Sequence, residues 1–170
     1  MRRTSAAFFS TAFFFLAPGF VAGLVPFWIN GWCWSAPVWE PQPVRRWAQA
    51  IGAAMIALGL IALVECFARF VHKGHGTPAP PMPTDTLVVS GLYRYVRNPM
   101  YLGVFAMSAG QGLLFGNAGT LVYAACVWVV FTVFVQVYEE PTLRRTYGTE
   151  YFLYCTHVRR WWPRLRPWLG

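Results

Sequence analysis

Residues 118–138 read AGTLVYAACVWVVFTVFVQVY, and Glu139 and Glu140 follow at once. The run carries no charged side chain, and about 20 apolar residues suffice to cross a bilayer as one helix. That makes a membrane span the reading of this stretch. It also leaves two adjacent carboxylates where the span ends.

Working outward, three further apolar segments appear, at 6–29, 48–70 and 100–115. The first follows Met1-Arg2-Arg3, like the basic start of a signal peptide, but runs longer than a signal's apolar region and reads as a retained span. Pro18-Gly19 is positioned to kink it. The second is interrupted only by Glu65, with Arg69 four residues on, so an intrahelical ion pair is expected there. The third is short and glycine-rich, and Gly103, Gly110 and Gly112 read as close-packing positions. The tight link GNAG at 116–119 makes the third and fourth segments an antiparallel pair.

The whole composition agrees. Of 170 residues, 56% are hydrophobic and 12% charged, and the mean hydropathy is +0.41. Soluble domains carry about 25% charged residues. The expected fold is therefore an all-α integral membrane bundle of about four transmembrane helices, one membrane domain over 1–170. Within it, 1–71 holds two spans, 72–99 a cytoplasmic loop, 100–138 a helical pair and 139–170 a cytoplasmic tail. Trp- and Pro-rich 30–47 connects the first two spans with tryptophans suited to the interface. Four prolines within 72–83 make the central loop an extended strap. The tail begins with Pro141 in a first helical turn, and an amphipathic helix is expected over 143–154 with a break at Gly148.

Charge sets the orientation. The formal net charge is +8, and 13 of the 14 basic residues are arginine. Arg2, Arg3, Lys73, Arg94, Arg97 and the six arginines of the tail fall on one side, against Arg45 and Arg46 on the other. The positive-inside rule then puts both termini in the cytoplasm. Arginine bias points to a bacterial inner membrane. Basic residues beside apolar runs suit lipid head groups, not nucleic acid. Cys33, Cys66, Cys126 and Cys155, with His72, His75 and His157, have no ligand or disulfide spacing, so no metal site is expected.

Three polar clusters fall on that same side. They are GLYRYVRNPMY at 91–101, YEEPTLRRTYG at 138–148 and EYFLYCTHVRRWWPRL at 150–165. Carboxylates at the end of a span are costly beside anionic lipid, which argues for a functional role for Glu139 or Glu140. Arg94, Tyr95, Arg144, Arg145, Arg164 and Arg166 read as interface anchors.

These three motifs, in this order, resemble those of the isoprenylcysteine carboxyl methyltransferase and phospholipid methyltransferase superfamily. The family pattern is roughly G-x-Y-x-x-x-R-[HN]-P-x-Y, then a Glu-Glu pair, then Tyr-x-x-Y and V-x-R-x-x-P. The resemblance covers about 76–165; the first two spans match only as apolar segments. It implies an integral-membrane methyltransferase that uses S-adenosylmethionine in a cytoplasmic pocket. By position, Gly91, Tyr93, Arg97, Asn98, Pro99 and Tyr101 match the first motif, Glu139 and Glu140 the acidic pair, and Tyr151, Tyr154, Arg160 and Pro163 the tail.

The resemblance implies catalytic roles for Arg97 and Glu140, and cofactor binding by Gly91, Tyr93, Asn98, Pro99, Tyr101, Glu139, Tyr151, Tyr154 and Arg160. The residue types suit the ligand. Arginine pairs with a carboxylate, a glutamate accepts from ammonium or ribose hydroxyls, and tyrosine rings stack on adenine or face a sulfonium. Glu140 is the candidate base where the acceptor needs one. The acceptor is amphipathic or lipid-like: an isoprenylcysteine-type carboxylate by family, with a phospholipid amine or small thiol as alternatives. Asn98 stands where the prenylcysteine enzymes have His, which bears on that choice. The contrasting class is a non-enzymatic four-span scaffold or transporter subunit, which predicts no cofactor binding.

Overall fold

The computed structural model describes residues 18–31, 39–73 and 87–169. Residues 6–17 of the expected first span, the connection at 32–38 and the strap at 74–86 lie outside the described residues. The described chain is helical. It comprises α1 (Phe20–Ile29), α2 (Gln42–Lys73), α3 (Pro99–Phe115), α4 (Ala118–Phe134) and α5 (Glu140–His157), with a 3-10 turn at Gly91–Arg94.

Two helices are long and apolar enough to cross a membrane, Gln42–Arg69 and the continuous Ala118–His157. Their apolar windows are only 28% and 17% buried within the protein. A soluble core helix would be covered. Here Leu58, Ile61, Val122, Val130 and Val137 face outward with 62–72% of their surface bare. Such faces have a place in hydrocarbon and none in water, so this is an integral membrane protein. Of the other expected spans, α3 has 17 residues, at the short limit of about 17–25. The first is described only over its last turns, Phe20–Ile29.

Glycines set the central contact. A Cβ on Gly52 would lie 2.5 Å from the carbonyl oxygen of Gly110, and one on Gly59 would lie 2.7 Å from that of Gly103. The paired numbers run in opposite senses, so α2 and α3 are antiparallel with backbones nearly touching. Gly112 leaves room for the Leu121 side chain of α4, whose Cδ2 would lie 2.6 Å from a Cβ placed there. The packing reading of Gly103, Gly110 and Gly112 is therefore right, and Gly52 and Gly59 are the partners it lacked.

The α3–α4 link is as tight as GNAG suggests. Gly116 ends α3 at φ 67°, and the Asn117 side chain accepts a hydrogen bond from the Thr120 N–H to start α4. Two π-helical turns break the regular ladder. The one at Phe20–Leu24 leaves carbonyls that other helices satisfy: Tyr123 Oη donates to Val21 O at 2.8 Å, and the Gln111 amide donates to Ala22 O.

The second π turn, Val135–Glu139, corrects one expectation. The fourth span does not stop at Tyr138 before a separate tail helix; α4 runs on through the π turn into α5. Pro141 lacks an N–H and its ring would crowd the carbonyl four residues back. The wider turn relieves this, with Glu140 N–H bonding Val135 O, five residues away. About 20 residues cross hydrocarbon, so 118–137 account for the crossing and the chain from Glu139 onward lies outside it. Gly148 breaks α5 as expected, at φ 51° and ψ −121°. Beyond the break, Tyr151, Tyr154 and Val158 turn inward as one buried stripe.

Candidate functional site

The first motif folds locally. After the extended residues 87–90, Gly91 adopts φ 57° and opens the 3-10 turn. Any other residue is strained at that φ, and its Cβ would displace the Glu65 carboxylate of α2. Pro99 occupies the first turn of α3, directly after Asn98, as its fixed φ and missing N–H favour.

The tail is tied along this motif by backbone hydrogen bonds. Arg97 N donates to Arg159 O at 3.0 Å, Arg164 N to Tyr95 O at 2.9 Å, and Trp168 N to Arg94 O at 3.0 Å. The buried Asn98 adds a side-chain tie, donating from Nδ2 to Arg160 O at 3.2 Å. Tyr154 Oη donates to Tyr93 O at 2.7 Å. The tail therefore lies along residues 94–98 and cannot point elsewhere.

Glu140 stands at the centre. Arg160 grips its carboxylate twice, Nε to Oε1 at 2.7 Å and Nη2 to Oε2 at 2.8 Å. Arg97 Nη1 donates to the same Oε1 at 2.9 Å and to Cys155 Sγ at 3.0 Å. Arg144 approaches Oε2 at 3.8 Å from its exposed position. The Glu140 side chain is 4% exposed, that of Arg97 13% and that of Arg160 30%. Burial pushes the Glu140 carboxyl up, but the Arg160 hydrogen bonds and the charges of Arg97, Arg160 and Arg144 outweigh it. The group is held below the usual carboxylate range. Its hydrogen bonds to Glu140 in turn raise the Arg160 guanidinium further.

Glu139 turns to a different neighbour, accepting from Tyr101 Oη at 2.6 Å. The Tyr101 ring lies 4.8 Å from that of Phe131. Beside them, Trp128 contacts both Phe105, at 5.0 Å, and Trp161 of the tail, at 4.5 Å. The ionic cluster thus adjoins an aromatic wall built from α3, α4 and the tail.

The structure joins Arg97, Asn98, Tyr101, Glu139, Glu140 and Arg160 from three distant segments at one end of the bundle. Tyr151 and Tyr154 are 2% and 3% exposed and support the cluster from below. Tyr93 packs against Cys66 of α2, and burial first, then nearby charge, pushes its phenol upward and keeps it neutral. Gly91 instead lines a cavity of about 560 Å³ beside Glu65 and Arg69, and none of the other expected cofactor residues lines that cavity. The expected Glu65–Arg69 pair is present at 2.7 Å. Sequence reasoning missed Cys155, Phe131, Trp128 and Trp161. Of these, only the conspicuous Trp161-Trp162-Pro163 carried a signal.

S-adenosylmethionine presents a carboxylate, an ammonium, hydroxyls and a cationic sulfur, and the side chains present suit it. Arg97 Nε is buried with no hydrogen-bond partner among the described residues, a donor left over for an anion. Glu139 offers a carboxylate, and the adjoining rings offer π faces to a cation.

The phospholipid methyltransferase family profile matches residues 47–150. The protein-S-isoprenylcysteine O-methyltransferase of Rattus norvegicus is 32% identical over 122 residues, 71% of this chain and 43% of that protein. Protein-S-isoprenylcysteine O-methyltransferase A of Arabidopsis thaliana is 29% identical over 124 residues, 66% of this chain and 57% of that protein. The matched part of the chain therefore spans about half the length of these relatives or less. No solved structure matches the chain. The profile takes in the first motif and the acidic pair, the same residues that the fold brings to one another, and the chain belongs to the phospholipid methyltransferase family.

Proposed function

We propose that this protein transfers a methyl group from S-adenosylmethionine to an amphipathic acceptor at the cytoplasmic face of a bacterial inner membrane. The observation that carries the reading is the sharing of Glu140 by Arg97 and Arg160, with Arg97 Nε left without a partner among the described residues. That donor sits beside the Arg160–Glu140 pair, where it is free to meet an anion of a ligand.

When bound, the cofactor supplies an electrophilic methyl on a positively charged sulfur. The chain does the rest. Glu140 holds both guanidinium groups in place, so Arg97 meets a carboxylate with little side-chain freedom left to lose. Glu139, oriented by Tyr101, accepts from an ammonium or hydroxyl group. Asn98, Pro99 and Gly91 fix the backbone on which Arg97 stands, and Tyr151 and Tyr154 pack beneath the tail that delivers Arg160. Trp128, Phe131 and Tyr101 exclude water from the membrane side of the cluster, where methyl transfer gains from a dry, aligned encounter.

Among acceptors, the relatives favour an isoprenylcysteine-type carboxylate. It is ionised at neutral pH and needs no base, which suits a Glu140 already committed to two arginines. A phospholipid amine or a thiol would require proton removal, and Glu140 so paired is poorly suited to it.

The test is a melt of the detergent-purified protein with S-adenosylhomocysteine. Stabilisation of the wild type, absent in Arg97→Ala, is the expected result; no shift at millimolar ligand would defeat the proposal. A radiolabelled-methyl screen over prenylcysteines, lipid extracts and thiols then identifies the acceptor. Reporter fusions at both ends test the orientation.

A further inference from the structure

A second feature lies on the far side of the Gly91 turn from the ionic cluster. The cavity of about 560 Å³ opens between α2 and this turn, and α2 supplies Leu58, Ile61 and Ala62, then Glu65 and Arg69. These positions recur every three or four residues and so form one helical stripe. Along it the chemistry changes from hydrocarbon to charge as α2 nears the end of the span. Leu58 and Ile61 are 66% and 64% exposed, with no protein over them.

The polar end has unused capacity. Ser90 lines the cavity, is only 5% exposed, and its Oγ has no partner among the described residues. Glu65 Oε1 takes the Arg69 Nε–H at 2.7 Å, while its Oε2 is buried without a partner among the described residues. Arg94 lines the same rim and forms no ion pair with the acidic groups of the described residues. Among the described residues, then, a cation without an ion pair, a buried hydroxyl and an unpaired carboxylate oxygen sit above an open apolar trough.

We propose that this groove binds an anionic phospholipid of the surrounding leaflet. Its phosphate meets Arg94 and Ser90 Oγ, a head-group hydroxyl donates to Glu65 Oε2, and one acyl chain lies along Leu58, Ile61 and Ala62. A phosphatidylglycerol head satisfies all three polar groups at once. A choline head has no hydrogen-bond donor for Glu65 Oε2. The inference does not depend on methyl transfer, because none of the groups it uses belongs to the Arg97–Glu140–Arg160 cluster.

The experiment uses the full chain in detergent and follows lipid retention by native mass spectrometry with dioleoyl phosphatidylglycerol and dioleoyl phosphatidylcholine. We expect phosphatidylglycerol to be retained preferentially, and Arg94→Gln to lower that preference about fivefold, the contribution of one basic side chain near a membrane surface. Arg94→Lys should keep most of it, and Leu58→Gln should weaken retention of both lipids. The stabilisation by S-adenosylhomocysteine should be unchanged in Arg94→Gln, which separates this site from the methyl-transfer cluster and shows the variant folded. Equal retention of both lipids would overturn the proposal, as would displacement by inorganic phosphate alone. Radiolabelled methyl on the retained lipid would also overturn it, since the groove would then hold the acceptor.

Discussion

Arg160 and Glu140 form a two-point pair, Nε to Oε1 at 2.7 Å and Nη2 to Oε2 at 2.8 Å. Arg160 belongs to the irregular tail and Glu140 to the first turn of α5, so the pair closes the chain back on the end of its own span. The fork of a guanidinium matches both carboxylate oxygens, which fixes direction as well as distance. Arg97 then adds a third hydrogen bond from the start of α3. Three separate segments are locked by one carboxylate.

Removing that carboxylate should be costly. Glu140→Gln keeps the shape but leaves Arg97, 13% exposed, without its counter-charge. Breaking one side of such a buried pair costs about 3–5 kcal/mol. The expected outcome is a large fall in melting temperature and loss of S-adenosylhomocysteine binding. Arg160→Lys, which keeps the charge but not the fork, should fall between wild type and Glu140→Gln.

The same pair predicts acid sensitivity. The folded-state pKa of Glu140 lies below its unfolded value. Its contribution to stability is therefore fully present above about pH 4.3, the ordinary glutamate value, and is lost as pH falls through the depressed folded value. Thermal melts of the wild type should weaken across that acid window. Glu140→Gln should lack this component of the pH dependence.

Gly59 and Gly110 allow a different check, on the fold itself. Each faces a backbone carbonyl of the opposing helix, Gly103 at 2.7 Å and Gly52 at 2.7 Å from a built Cβ. A valine at either place must push α2 and α3 apart, and overpacking of this kind costs about 1–3 kcal/mol. Gly59→Val and Gly110→Val should both lower the melting temperature. Gly23→Val, whose Cβ would meet nothing within 4 Å, should be tolerated better and serves as the control.

Much of this was legible beforehand where one physical rule dominates. Apolar length located α2 and α4, Gly116-Asn117 located the hairpin, and Glu65 and Arg69 declared their pairing by spacing alone. The π turn at Val135–Glu139 was not legible, because it answers a clash between Pro141 and the preceding turn that no periodicity reports. Nor was the division of labour between neighbouring carboxylates. Successive helical residues point about 100° apart, so Glu139 reaches Tyr101 while Glu140 reaches Arg97 and Arg160, and only the bundle decides which faces which. The tail's route along residues 94–98 rests on backbone hydrogen bonds that side-chain identities do not encode. The placement of all three motifs on one side of the membrane pointed to their convergence; the aromatic wall of Phe131 and Trp128 looked like any lipid-facing span.

Tyr101 offers the sharpest separation between a structural and a ligand-orienting role. Its hydroxyl donates to Glu139 at 2.6 Å, and its ring packs on Phe131 at 4.8 Å. Tyr101→Phe keeps the ring and removes only the hydrogen bond. Glu139 is only partly buried, so without that bond its carboxylate turns to solvent and most of the stability is kept. If the bond serves stability alone, the melting temperature falls and affinity for S-adenosylhomocysteine, measured on the folded fraction, is unchanged. If Tyr101 holds Glu139 in position to accept from the ligand, affinity falls about tenfold or more, the equivalent of 1.4 kcal/mol, while the ligand-free melt moves little. We expect the second pattern. Glu139→Gln should then match it in affinity, because an amide oxygen so oriented still accepts but carries no charge to offer an ammonium.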